Sequence, residues 1–108
     1  MAFALTNVSV TCTGGVTPPE DELLTGATGS TIVKSLEIIT GSSACSVNII
    51  RKNANGVTYA DIKVDLKQND YLVLWEGFFV IPYNHKIYVK STSNQCVVVA
   101  NVVHNNIS

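Results

Sequence analysis

The sequence predicts an all-β protein, built as an antiparallel β-sandwich of jelly-roll type with about eight strands. Short runs rich in Val, Ile and Thr recur at regular spacing, turn residues separate them, and several runs alternate apolar with polar side chains. A chain of 108 residues is typical of one domain, so we assign residues 1–108 to a single sandwich.

The first thirty residues contain one predicted strand, residues 3–11, and a segment without strand character, residues 14–30. Pro18 and Pro19 exclude a central strand from this segment, so we predict a loop or a short turn there. Thr17 and Glu20 have the spacing of a capping box around Pro18, which makes one helical turn an alternative.

Lys34 stands inside the run TIVKSLEIIT, residues 31–40, which otherwise has the character of a buried strand. In a simple alternation, Lys34 shares one face with Ile32, Leu36 and Ile38 and so interrupts an apolar stripe. Its aliphatic stem can lie along apolar surface while the ammonium reaches water, and an inward charge discourages wrong edge pairing. A salt bridge across a subunit contact is the functional alternative.

Two strands with clear alternation follow, and a hairpin turn joins them. Within residues 44–52, Cys45, Val47 and Ile49 alternate with polar residues, which indicates one buried face. Asn55 and Gly56 form a strong hairpin signal because both residue types tolerate positive φ. The inward-facing positions predicted for the next strand are Ala60, Ile62, Val64 and Leu66.

The C-terminal part contains the runs YLVLW, FFVIP, KIYVKST and CVVVANVV, and the last of these is apolar on both faces. One face carries Val98, Ala100 and Val102, and the other carries Val97, Val99 and Val103. A strand of this kind is either central in a two-layer stack or buried against another chain. We therefore expect this strand and its neighbours at a subunit contact. The residues assigned to that contact are Lys34, Trp75, Phe78, Phe79, Tyr83, Val97, Val99 and Val103.

The charge content is low, at 14% of residues against a typical share of about 25%. This indicates either a surface partly covered by neighbours or a soluble β protein rich in Thr and Asn. The basic residues are scattered and the net charge is −1, so we expect no nucleic-acid partner. No apolar run is long enough to span a membrane and no signal peptide is evident, so we expect no membrane partner.

No motif predicts catalysis. His85 and His104 lack metal-ligand spacing, no serine-nucleophile elbow is present, and no run of acidic residues has the pattern of a calcium loop. We expect no enzyme activity, no cofactor and no metal. The three cysteines are predicted to be buried, reduced thiols, with one disulfide and one free thiol as the alternative. An exposed Trp75 or Tyr83 would favour sugar binding, but packing is favoured for Trp75, the single tryptophan.

An ordered series of motifs gives a resemblance over about residues 23–104. The series is LLTGATGS, TIVKSLEIIT, SVNIIRK, YLVLWEG, KIYVKSTS and CVVVANVVH. It resembles a family of small β-sandwich virion proteins of tailed bacteriophages, described as head-decoration, collar or tail-associated proteins. In this resemblance Lys34 falls on the family's lysine position, and residues 86–89 fall on its KIYV strand.

The resemblance implies a structural role in the virion, with head decoration or cementing of the capsid first and a neck, collar or tail accessory role second. It implies that the partners are further copies of the chain, in a trimer or larger ring, together with capsid or tail proteins. Localisation in the virion after assembly in the host bacterial cytoplasm follows, and a reducing cytoplasm suits unpaired thiols. A glycan-binding module of a receptor-recognition structure is the alternative from another class.

Overall fold

The computed structural model describes the backbone of residues 2–106 and the side chains of residues 6–29, 31–74 and 79–104. Within these residues the chain forms eight strands and no helix. The strands are β1 (Ala2–Thr11), β2 (Asp21–Thr25), β3 (Ser30–Ile39), β4 (Cys45–Lys52), β5 (Thr58–Leu66), β6 (Tyr71–Ile81), β7 (Lys86–Ser91) and β8 (Val97–Asn106).

The strands form two four-stranded antiparallel sheets that pack face to face. The first sheet has the order β1-β8-β3-β6 and the second sheet has the order β2-β7-β4-β5. Apart from the β4–β5 hairpin, each consecutive strand crosses to the other sheet, which is the connectivity of a jelly roll. The predicted antiparallel sandwich of eight strands is confirmed.

The segment 14–30 differs from the prediction because it contains β2 and no helical turn. Leu23 and Leu24 are both buried, since the register against β7 shifts between Glu22 and Leu24. This bulge removes the alternation by which a strand is usually recognised. Glu20 does not cap a helix; its carboxylate pairs with the Lys52 ammonium at 2.5 Å.

The hairpin between β4 and β5 is present, although its turn differs from the predicted one. Of the two expected residues, only Gly56 has a positive φ, at 80°. The Asn53 carbonyl accepts a hydrogen bond from the Gly56 N–H (3.0 Å), and the Asn53 side chain accepts from the N–H groups of Asn55 (2.9 Å) and Val57 (3.0 Å). Asn53 therefore organises this turn.

Lys34 does not interrupt the core, contrary to the simple alternation. The register of β3 shifts between Val33 and Ser35 against both neighbouring strands, so Lys34 is the extra residue of a β-bulge. The bulge changes the buried positions from odd to even numbers, with Val33 buried before it and Leu36 and Ile38 after it. Lys34 is exposed on the solvent side of the sandwich.

The core lies between the two sheets and is built almost entirely from aliphatic side chains and the three cysteines. The inner face of β5 contributes less than predicted. Leu66 is buried, but Ile62 keeps 38% of its surface exposed because β5 is the edge strand of the second sheet. The outer edge of the sandwich therefore offers partly exposed apolar surface.

Candidate functional site

The final strand β8 separates its two apolar faces between the core and the outside. Val98, Ala100 and Val102 are buried against the second sheet, whereas Val97 and Val99 are half-buried and point outward. Since β8 lies between β1 and β3, side chains of these two strands flank the outward valines. The valines remain partly accessible from the outer face of the sheet. The face predicted for a subunit contact is therefore the outer face of the first sheet.

The outward residues of β8 continue across the sheet in rows. Val97 lies beside Ile39 of β3, and Ile39 lies beside Tyr71 of β6. Side chains directly opposite each other on one sheet face are in contact range. We call this surface the valine face; its members are Val97, Val99 and Val103 of β8, Ile32 and Ile39 of β3, and Tyr71, Val73 and Val80 of β6.

The valine face is most open on the side of β6. Ile39, Tyr71, Val73 and Val80 have between 36% and 55% of their surface exposed. Large apolar side chains scattered over a surface are ordinary, but Ile39, Tyr71 and Val73 lie in two adjacent rows of one sheet. Val80 lies in a separate row, beyond the polar row of Ser35 and Asn101. The face thus has two apolar regions of the kind found at protein contacts, one around Val97, Ile39 and Tyr71 and one around Ile32 and Val80.

One polar network crosses this face and is internally satisfied. The Tyr71 hydroxyl donates a hydrogen bond to the Glu37 carboxylate, which raises the pKa of that hydroxyl. The Asn101 side-chain amide donates to the Ser35 hydroxyl (2.7 Å) and to the other Glu37 oxygen (3.4 Å). Since Glu37 is bonded on both oxygens, it can be covered by a partner at lower cost than a free carboxylate.

The outer face of the second sheet has the opposite character. It carries two ion pairs, Lys86 to Glu22 at 3.0 Å and Lys52 to Glu20 at 2.5 Å, and further exposed charges on β5. The hydrogen bond from Lys86 lowers the pKa of the Glu22 carboxyl. The Lys52 ammonium also lies 4.8 Å from the centre of the Tyr88 ring. A face that carries these charges is suited to water.

The other residues assigned to the contact are not brought together. Phe79 packs against the core and lies under the Arg51 guanidinium, at 4.8 Å, so it is not part of the valine face. Tyr83 is 60% exposed but stands in the turn before β7, away from the valine face. The side chains of Trp75 and Phe78 lie outside the described residues.

At one end of the sandwich Arg51 packs between two aromatic rings, an arrangement that the sequence did not predict. The Arg51 guanidinium lies between the rings of Tyr59 (5.1 Å) and Phe79 (4.8 Å), and its Nε is buried without a hydrogen-bond partner among the described residues. The Tyr59 ring makes an edge contact with His85 at 5.6 Å. Tyr59 is the extra residue of a bulge between Arg51 and Lys52, which redirects its ring and could not be seen in the sequence.

The three cysteines converge in the core as free thiols. Cys12, Cys45 and Cys96 are all buried, and the Cys12 backbone N–H donates to the Cys96 carbonyl at 2.8 Å. The side-chain hydrogen bond from Cys12 to Cys96, together with burial, raises the pKa of the Cys12 thiol. Burial raises the pKa of the Cys45 thiol. Both groups therefore stay protonated in the fold at neutral pH.

The raised thiol pKa values predict a loss of stability in alkali. Below about pH 8.5 the Cys12 and Cys45 thiols are protonated in both the folded and the unfolded chain, and they add nothing to the pH dependence. The hydrogen bond from Cys12 lowers the pKa of the Cys96 thiol to about 7, so Cys96 adds stability as the pH rises from about 7 to about 8.5. Above about pH 8.5 Cys96 is ionised in both states, and the unfolded Cys12 and Cys45 thiols ionise while the folded ones stay protonated. Stability should therefore fall by about 1 kcal/mol per pH unit for each of these two thiols. Urea unfolding between pH 8 and pH 9.5 under a reducing phosphine measures this slope.

The control for this prediction is the chain with Cys12→Ala and Cys45→Ala, which keeps all other titrating groups. Its slope should be flatter than that of the wild type over the same pH range. Equal slopes in the two chains would contradict the thiol assignment.

Within the described part of the chain, no group of three or more His, Cys, Asp or Glu side chains is arranged to hold a metal ion. A cavity of about 370 Å³ lies near the cysteine end, lined by residues 13–15, 43–44 and 92–94, none of which is ionisable. The described residues include no helix that is long and apolar enough to cross a membrane.

No protein-family model matches the chain, and no curated protein is a significant match to it.

Proposed function

We propose that the protein is a non-enzymatic structural component of a tailed-phage virion, and that its leading role is head decoration or cementing of the capsid. The observation that carries the proposal is the difference between the two outer faces. The first sheet presents the valine face, whereas the second sheet carries two ion pairs and a row of exposed charges on β5. A shell protein needs one face for its neighbours and one face for water.

The resemblance of the strand and turn motifs to small virion β-sandwich proteins supports the same role. The jelly-roll connectivity is also common in viral capsid proteins, although fold alone does not determine function. Three buried, unpaired thiols suit assembly in a reducing bacterial cytoplasm before the virion is released.

The mechanism would be mechanical. Covering the valine face against capsid subunits removes apolar area from water, which contributes roughly 25 cal/mol per Å² buried. Lys34, exposed at the bulge of β3, would stand at the rim of this contact. Many copies that each bridge neighbouring subunits would together resist the internal pressure of a filled head. A neck, collar or tail accessory role would use the same face on a different partner.

Sugar binding is a second candidate, and the exposure of Tyr83 and the contact between Tyr59 and His85 favour it. Jelly-roll domains include lectins, and aromatic rings are common sugar platforms. A glycan array with the wild-type chain tests this directly. A signal that is lost in Tyr83→Ala would place the sugar site at the turn before β7.

The test of the proposed function is co-sedimentation with empty phage heads, using a charge on the valine face. Val99→Lys places an ammonium beside Glu37, which can compensate it in the free protein, so the fold should persist. We expect head binding to weaken at least tenfold, about 1.4 kcal/mol or more, because the charge must be desolvated in the contact. The matched control is Val57→Lys, at an exposed turn position away from the valine face.

Binding of Val99→Lys at wild-type strength would show that the valine face is not the docking surface. If the wild type sediments with tails or necks instead of heads, the accessory role replaces head decoration. Failure to bind any virion fraction would remove the proposed function.

A further inference from the structure

The two sheets end in edge strands of different character. The second sheet ends in β2, which has only five residues and carries Asp21 and Glu22, and in β5, where charges of alternating sign are exposed. Short edge strands and charged side chains are the usual protection against pairing with another chain. Both edges of the second sheet therefore carry charged side chains that disfavour pairing, although Ile62 of β5 is partly exposed.

The first sheet ends in two long strands without this protection. β1 has ten residues and no side chain that is charged at neutral pH, and β6 has eleven residues with Glu76 as its single such residue. Each pairs with a neighbour on one side only, so its other side presents a row of backbone donors and acceptors. The exposed side chains of β6 include Tyr71, Val73 and Val80.

The direction of the strands makes these two edges complementary. All three ladders of the first sheet are antiparallel, so β1 and β6, at opposite ends of a four-stranded sheet, run in opposite directions. A second copy rotated about an axis roughly along the strands keeps the direction of its own β1. Its β1 therefore meets β6 of the first copy as an antiparallel neighbour of nearly equal length.

We propose that copies of this chain join edge to edge through their first sheets, with β6 of one copy pairing with β1 of the next, in a closed ring of three or more copies. The proposal deepens the structural role given above, since it names the partner of these edges as a second copy. Pairing of β6 with β6 across a two-fold axis would leave β1 open, whereas pairing of β6 with β1 uses both edges. Closure of the ring leaves no edge in the first sheet.

The rows of the valine face would continue from copy to copy in such a ring. Tyr71 of β6 stands at the same end of the sheet as Thr11 of β1, in the row that also contains Val97 and Ile39. The next copy would place its own Thr11 beside Tyr71. The row of Val97, Ile39 and Tyr71 would thus be extended by Thr11 of the next copy.

The backbone of β1 provides a selective test. The Cys12 N–H points toward β8, since it donates to the Cys96 carbonyl at 2.8 Å. N–H groups alternate sides along a strand, and β1 pairs with β8 without a register shift, so the Ser9 N–H points to the open edge. Ser9→Pro removes this outward donor without removing a bond to β8, whereas Ser9→Ala keeps it.

Light scattering of the purified chain, without heads, measures the result. We expect the wild type and Ser9→Ala to have the mass of three or more chains, and Ser9→Pro to have the mass of one chain with unchanged circular dichroism. If Ser9→Pro does not fold, Val73→Lys, which puts a charge on the other edge strand, should likewise lower the mass.

A wild-type monomer, a wild-type dimer, or a Ser9→Pro ring would each overturn the proposal. The dimer would point to β6–β6 pairing instead. Head binding is measured separately, so a ring that ignores heads would contradict the proposed function and leave this inference standing. A monomer that binds heads would overturn this inference and leave the proposed function standing.

Discussion

Replacing Leu36 by alanine is expected to lower the free energy of unfolding by about 2–5 kcal/mol. Leu36 is fully buried on the inner face of β3, directly after the bulge that changes which residues face the core. Its removal leaves a cavity that the surrounding β-branched side chains, which have restricted rotamers, can fill only in part. Urea unfolding followed by circular dichroism measures the change.

Ile39→Ala is the matched control, because Ile39 lies on the same strand but is 40% exposed on the valine face. We expect it to cost about 1 kcal/mol or less at low protein concentration, since part of its surface already contacts water. Equal losses in the two variants would mean that the inner and outer faces of β3 are assigned wrongly.

Replacing Gly14 by alanine is expected to destabilise the fold by two separable effects. Gly14 has a φ of 74°, a left-handed conformation that costs an L-residue about 1–2 kcal/mol. An added Cβ would also lie 2.4 Å from the backbone nitrogen of Asn94, in the loop between β7 and β8. That backbone would have to shift, which adds about 1–3 kcal/mol.

Gly56→Ala isolates the first effect, because Gly56 has a similar φ of 80° and open space around the position of the added Cβ. Thermal unfolding of both variants gives the difference directly. We expect Gly14→Ala to be the less stable of the two. If Gly56→Ala lost as much stability, the close approach to Asn94 would carry no energetic weight.

The sequence predicted the fold class because the regular strands carry a clear signal. In β4, Cys45, Val47 and Ile49 are buried as their alternation with polar residues indicates. Where a bulge occurs, the same pattern misleads. Leu23 and Leu24 are buried side by side in β2, and Lys34 was placed in the core although it stands outside it. A bulge depends on the neighbouring strand, which a single strand's sequence does not specify.

The candidate site could likewise be predicted only in part, because it depends on how the strands pair. The two apolar faces of β8 were visible in its valines, but the rows that join Val97 to Ile39 and Tyr71 depend on strand order and register. These pairings join residues far apart in the sequence. The position of Arg51 between two rings was likewise invisible, because it depends on the bulge at Tyr59 and on a strand of the opposite sheet.

The order of the strands also has a consequence for how the chain folds. Of the six ladders in the two sheets, only β4–β5 joins strands that are consecutive in sequence. Each of the others requires a long loop to close before its contacts can compensate for the lost chain entropy, so folding should be slow for a chain of this size. The first sheet contains no local ladder at all. Until β6 pairs with β3 during folding, its apolar side chains are exposed to other chains. The strand that we assign to assembly is therefore also the strand most prone to aggregation while the chain folds.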